Sequence, residues 1–280
     1  MSTNIIPKLK PLSHEELKNY PVLYNKVPHE DVSDKYTLIS SIDIINELRD
    51  RFNWYVTSVQ VSKIKDESRQ NKQVHLVRLR HFDDLLAPKD SAVELIFFNS
   101  FDRSKAFSIS MGLYRFCCCN GLILGETFDS YRLRHIGDLE NNLEEIIAKV
   151  TKYKPKLEEK VKEYSNTMLS PQEMETFARL AAPLKFPAHL EVDYNQLLVP
   201  QRAEDMKDSS IYTILNIIQE NLIRANNVVG FNKETGRRFT SKEISSLKKD
   251  YEINVGVFNL ADRIYELKTQ QSIAEKKKNQ

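Results

Sequence analysis

The chain has 280 residues, and its 41 lysines and arginines nearly balance its 39 aspartates and glutamates, for a formal net charge of +2. That length supports a substantial core in one large or two modest domains. The balanced charge decides nothing about a nucleic-acid partner, so only its distribution can. Only seven glycines occur, which argues against Gly-rich nucleotide loops and a doubly wound dinucleotide fold.

The cysteines are consecutive, Cys117, Cys118 and Cys119. Neighbouring strand residues point to opposite faces, so these three cannot share a metal, and the expectation is buried thiols in a reducing cytoplasm. The opening segment MSTNIIPKLK has no apolar core, and no apolar run is long enough to span a bilayer. The expected location is therefore cytoplasmic, with no membrane contact.

In chain order, residues 1–35 read as an N-terminal arm and a short helix opened by the capping box Ser13-His14-Glu15-Glu16 and stopped by Pro21. A stronger helix runs from Ile42 to Phe52 behind Ser40-Ser41, with Ile44, Ile45, Leu48 and Phe52 on its apolar stripe. Trp54 to Ile64 reads as a strand, Lys65 to Gln73 as a polar tip, and Val74 to Phe82 as the return strand. On the return strand His75, Val77, Leu79 and His81 alternate with Leu76, Arg78 and Arg80. Val93 to Phe98 is continuously apolar, as a strand covered on both faces should be.

The densest stretch runs from Ala106 to Asp138. Phe107, Ile109, Met111 and Leu113 alternate with Ser108, Ser110, Gly112 and Tyr114, predicting a half-buried strand. Asn120-Gly121 is predicted to turn the chain into a return run, Leu122 to Leu124. Arg115, Arg132, Arg134 and His135 are thereby gathered in one region.

From Asp138 the period changes. Leu139, Leu143, Ile146, Val150, Tyr153, Leu157, Val161 and Tyr164 predict a long amphipathic helix, kinked or broken near Pro155. Ser170-Pro171-Gln172-Glu173 opens another helix ending before Pro183. Residues 183–208 read as an extended connection, Ser209 as a helix cap, Val228 to Thr240 as a basic loop, and Tyr251 to Thr269 as a last helix. The fold expected is α+β: an antiparallel sheet core with covering helices over residues 36–182 and a mainly helical C-terminal part over 183–270. Residues 271–280 are a charged, disordered tail.

Five segments in this order resemble the YfjQ/YafZ-like proteins, a family of unknown function found on phages, prophages and plasmids: YTLISSIDIINELRD, HLVRLR, FNSFD, GLYRFCCCNGL and RHIGD. The resemblance covers most of the chain and returns at Gln219-Glu220-Asn221-Leu222-Ile223. It implies a mobile-element context rather than an activity. This chain carries Phe101 where those relatives have histidine and Arg103 where they have glycine, so a histidine-dependent metal or catalytic role at that turn is not carried over. A fainter likeness is to Rad52-like single-strand annealing proteins. It rests on element order alone: a helix ending in Phe52-Asn53-Trp54, a β-meander with basic strands, then a long helix.

The leading expectation is nucleic-acid binding, in particular single-stranded DNA binding or annealing in phage or plasmid recombination. The expected interface is Lys65, Lys72, Arg78, Arg80, Arg115, Arg132, Arg134 and His135, with Trp54 offering a stacking face. The competing view is an ordinary solvated face whose charge is cancelled by Asp66, Glu67, Asp83, Asp84 and Glu94. No H-E-x-x-H, G-x-S-x-G or P-loop motif occurs, so no catalytic residue, metal or cofactor is assigned. Convergence of Asn99, Asp102, His135 and Asp138 would suit a phosphodiester hydrolase, against which stands simple turn chemistry at Asn99 and Asp102. A third class is a protein-interaction factor, for example in counter-defence. The stripe from Leu139 to Tyr164 would serve either as a homo-oligomer seam or as core.

Overall fold

The chain divides into two units, one ending at Pro155 and the other beginning at Lys156. The structure, a computed structural model, describes residues 10–31, 38–86, 91–115, 120–123, 131–132, 139–224 and 227–278. Cys117, Cys118, Cys119, Arg134, His135 and Asp138 lie outside the described residues, and of Arg132 only the backbone is described.

In the first unit, α1 (His14–Leu17) carries the expected capping box: Ser13 Oγ accepts from the Glu16 N–H, and the Glu16 carboxylate accepts from the Ser13 N–H at 2.7 Å. Ser40 caps α2 (Ser41–Phe52), which buries Ile44, Ile45 and Leu48. Asn53 ends that helix in the left-handed region at φ 56°, which asparagine tolerates better than most residues.

An antiparallel sheet follows. Its strands are β1 (Trp54–Val61), β2 (His75–His81), β3 (Ser91–Asn99), β4 (Ser108–Arg115) and β5 (Asn120–Ile123), hydrogen-bonded in chain order, and β6 (Tyr131–Arg132) also pairs with β4. Helix α3 (Phe82–Leu86) sits between β2 and β3. Asn120 and Gly121 do not form the expected turn. They are the first two residues of β5, opposite Arg115 and Tyr114.

The cross-strand register puts Val56, Leu79 and Leu95 in one row and Val77, Phe97 and Ile109 in another. These residues share one face and are buried. The opposite face is buried as well: Leu76, Arg78, Arg80, Glu94, Ile96, Phe98 and Ser110 all lie out of solvent. The half-buried strand expected at β4 is thus covered on both sides.

Helix α4 (Leu139–Asn166) continues through Pro155, at the boundary between the units. Ile147 is buried within the first unit, and Leu157 and Tyr164 within the second. In the second unit, α5 (Pro171–Ala181) has its capping box and its proline in the first turn, as expected. Residues 183–208 are not simply extended. They contain short 3-10 turns and β7 (Leu190–Val192).

Helix α6 (Ile211–Ile223) is capped by Ser210, one residue beyond the expected Ser209, and every one of its residues is buried. It is the axis of this unit rather than an amphipathic surface helix. The last helix, α7 (Leu247–Lys278), outruns its expected end at Thr269 and takes in most of the tail read as disordered. Among the described residues no helix is long and apolar enough to cross a membrane.

The basic loop expected over Val228 to Thr240 is a hairpin, β8 (Val229–Asn232) and β9 (Arg237–Thr240), which joins β7 in a three-stranded antiparallel sheet. Its turn is closed by Asn232, whose Oδ1 accepts from the Glu234 and Thr235 N–H groups, and by Gly236 at φ 66°. Val192, Gly230 and Phe239 form one cross-strand row. A Cβ on Gly230 would meet the Glu191 carbonyl at 2.5 Å and the Phe239 ring at 2.6 Å. Gly230→Ala is therefore expected to destabilise the second unit by about 1–3 kcal/mol, the usual cost of overpacking. Urea unfolding followed by circular dichroism checks this, and an unchanged midpoint would show that the ring moves aside at no cost.

Candidate nucleic-acid interface

The arginines of β2 do not face phosphate. Arg78 Nη1 donates to Glu94 at 2.7 Å, and Arg80 donates to the same carboxylate through Nε at 3.0 Å. Exposure is 6% for Arg78, 1% for Arg80 and 0% for Glu94. The cause is the register, which sets Arg80 directly opposite Glu94 and Arg78 one residue pair away on the same face. Buried charges persist only when paired in this way. Trp54 is also corrected. It is buried, with its ring edge-on to His81 at 5.6 Å, and offers no free face to a base.

The remaining expected residues are scattered. Arg115 is half-buried at the end of β4, Lys65 is exposed, and Lys72 is half-buried. At the end of the sheet away from Arg115, the Phe101 N–H donates to the Lys72 carbonyl at 2.8 Å, which brings the β3–β4 turn against the 62–72 tip. That end is electrically mixed. Arg69 is shared among Asp31, Asp66 and Asp102 at 3.4–3.5 Å, and the Arg103 guanidinium donates to the Asp31 carbonyl. Arg103 holds φ 64°, a left-handed conformation that glycine adopts more readily than arginine.

Beneath this turn lies a polar chain that resembles a catalytic pair. The Asn99 amide donates to the Ile39 carbonyl at 2.8 Å and to Ser41 Oγ at 2.9 Å. Ser41 Oγ is 2.7 Å from His75 Nε2, and His75 Nδ1 is 3.1 Å from the Gln73 carbonyl. A carbonyl only accepts, so Nδ1 carries the proton and Ser41 donates to Nε2. Ser41, His75 and Asn99 are all fully buried, and burial pushes the imidazole down to about 4. No substrate reaches a serine in that position. The arrangement pins the start of α2 to β2 and β3.

Asn99 and Asp102 follow the turn chemistry weighed above: Asn99 Oδ1 accepts from the Ser100 N–H, and Asp102 Oδ1 accepts from the Ser104 N–H. Among the described residues no cluster of histidine, cysteine or carboxylates has the makings of a metal site.

Among the described residues, a stretch with a cationic excess is the hairpin of the second unit. From Val228 to Lys242 the sequence holds Lys233, Arg237, Arg238 and Lys242 against one carboxylate, Glu234. All five are exposed. Lys233 reaches Glu191 at 3.4 Å, whereas no carboxylate among the described residues pairs with Arg237 or Arg238.

The hairpin has two distinct faces. On one, Phe239 packs over Gly230 and against Phe186, ring centroids 6.2 Å apart. On the other, Val229 and Phe231 point to solvent, 45% and 43% exposed, with Arg238 directly opposite Phe231. Gln196 holds the base of the hairpin by donating to the Val229 carbonyl at 2.9 Å and accepting from its N–H at 2.8 Å. Lys185 Nζ donates to the Lys242 carbonyl at 2.8 Å, and burial lowers its ammonium to about 8.

A family model described as Domain of unknown function (DUF932) matches residues 28–252. Two proteins of Escherichia coli (strain K12), UPF0380 protein YafZ and UPF0380 protein YfjQ, are each 28% identical to this chain over 266 residues, covering 94% of it and 95% of their own length. No solved structure matches the chain. Since the family model spans both the sheet of the first unit and the hairpin of the second, the chain belongs to the DUF932 family, of which no function is described.

Proposed function

We propose that the protein binds nucleic acid in the DNA metabolism of a mobile genetic element, in single-strand binding or annealing during phage or plasmid recombination. The observation that carries this reading is the β8–β9 hairpin, where Arg237 and Arg238 stand exposed without a carboxylate partner beside an exposed phenylalanine. Cations released from carboxylates are free to neutralise phosphates, and each contact gains from released counterions. Arg238 shares the face of Phe231 and Arg237 the face of Phe239, so a strand passing over the turn end of the ribbon meets a cation on either side. The buried pairing of Arg78 and Arg80 removes the β2 strand from this role. The mobile-element setting rests on the YfjQ/YafZ-like resemblance.

The test is fluorescence anisotropy of a labelled oligonucleotide titrated with the full chain at low salt. Saturable binding is expected, weakened at least tenfold by Arg237→Glu with Arg238→Glu. Circular dichroism of the double variant should match the wild type, since neither side chain is buried. Absence of saturable binding, or binding indifferent to the double reversal, would overturn the proposal.

A further inference from the structure

Resting on that reading, we infer that Phe231 is a base-stacking residue and that the outer face of the hairpin therefore takes a nucleic-acid strand whose bases are unpaired. Phe231 is held outward by the pleat. Its neighbours Gly230 and Asn232 belong to the other face, where Phe239 fills the space over Gly230. The phenyl ring is thus an apolar surface that the fold leaves in water, although an aromatic of this size usually gains by burial.

Its surroundings indicate the occupant. Arg238 lies directly across the ladder on one side and Glu191, which reaches Lys233 at 3.4 Å, on the other; Thr240 follows Arg238 on the same face, with Val229 opposite it. Arg237 and Lys233 flank the turn. Arg238 has no carboxylate partner among the described residues, so an apolar protein segment laid over the ring would leave that charge uncompensated. A single strand satisfies both features, with a phosphate toward Arg238 and an exposed base face toward the ring. A duplex offers only the phosphates, because its base faces are already stacked on one another.

The hairpin is held rigidly enough to present the ring in one orientation. Gln196 bonds both backbone groups of Val229, and Asn232 with Gly236 closes the turn. A fixed platform loses little freedom on binding, which favours stacking on it.

Tryptophan at this position gives a direct readout, since the chain has only one tryptophan, Trp54, and it is buried. In full-length Phe231→Trp, addition of oligo(dT) is expected to quench the new emission saturably. Phe231→Ala should bind oligo(dT) about 5- to 100-fold more weakly, the range for loss of one stacked base, with the slope of affinity against salt unchanged because no charge is lost. An abasic strand of equal length should bind wild type and Phe231→Ala alike.

If the tryptophan stays unquenched while the double arginine reversal still weakens binding, Phe231 does not stack and this inference falls, with the phosphate-binding reading left standing. If no oligonucleotide binds at low salt, both fall. Equal quenching by duplex and single strand, or equal weakening of abasic-strand binding by Phe231→Ala, would also overturn the stacking role.

Discussion

Replacing Glu94 with glutamine should destabilise the first unit by about 3–5 kcal/mol, the usual cost of stranding buried charge. Glu94 is fully buried and accepts from both Arg78 and Arg80. Glutamine keeps the volume and one carbonyl oxygen but removes the negative charge, so two guanidinium groups in the same region lose their shared counter-charge. The fold cannot relieve them by exposing β2, because that strand lies between β1 and β3 in the sheet. Urea unfolding followed by Trp54 emission reports on the same sheet, since Trp54 begins β1 and is buried there. Replacing all three members by apolar residues of similar size, Arg78→Met, Arg80→Met and Glu94→Leu, should cost far less than Glu94→Gln alone. A Glu94→Gln midpoint within experimental error of wild type would contradict the buried pairing.

The second large effect depends on pH. Burial holds His75 neutral, pushing its pKa from the ordinary 6.5 down to about 4. The unfolded chain titrates this ring near 6.5, so below that pH the unfolded state takes up a proton that the folded state refuses. Stability is complete above about pH 6.5 and falls as the pH drops toward 4, by about 3 kcal/mol over the interval. Below about 4 the folded state is protonated too and the loss from this group levels off.

The groups in contact with the ring are Ser41, the Gln73 carbonyl and the Phe101 ring, with Asn99 bonded to Ser41. None of these carries charge, so none of them offsets a proton on His75. Carboxylates titrate in the same range, and the informative quantity is the difference between wild type and His75→Gln. The variant should be less stable at pH 7, having lost its bond to Ser41 or to Gln73, and its stability should change less between pH 6.5 and 4. Parallel stability curves for the two proteins would show that His75 is protonated without penalty.

Much of the first unit was legible from periodicity. Ser40 and Asn53 bracket α2, and β1 to β4 fall where the alternation places them. What period two cannot say is whether a face is covered. It put Arg78 and Arg80 on one side of β2 and left solvent as the natural partner. Burial was decided by Glu94, fourteen residues beyond Arg80, through a register fixed only when β2 pairs with β3. Glu94 was visible among the acidic neighbours that cancel the charge, and its role as an acceptor shared by both arginines was not.

The second unit was harder for related reasons. Helix α6 is buried on every side, so it has no solvent face for a sequence periodicity to report. Several of its polar residues are bonded within the unit: Asn221 donates to the Leu197 and Val199 carbonyls, and Glu220 is held by Arg202. The hairpin was read as a loop because its strands have four residues each, too short for an alternation to register. The signal that would have found it is Val229 and Phe231 before Asn232, and Gly236 ahead of Arg238 and Thr240, a period of two on both sides of a turn.

The central claim is that binding depends on the hairpin's exposed cations and not on the arginines within the sheet. The slope of log affinity against log salt for a single-stranded oligonucleotide tests it most directly, because the slope counts phosphate contacts and is insensitive to uncharged ones. Each single-strand contact contributes about 0.7. Reversing Arg237 and Arg238 in the full chain is expected to reduce the slope by about 1.4, whereas reversing Lys63 and Lys65, exposed at the mixed end of the sheet, should leave it unchanged. A slope untouched by the hairpin reversal, or lowered instead by the Lys63 and Lys65 reversal, would contradict the account.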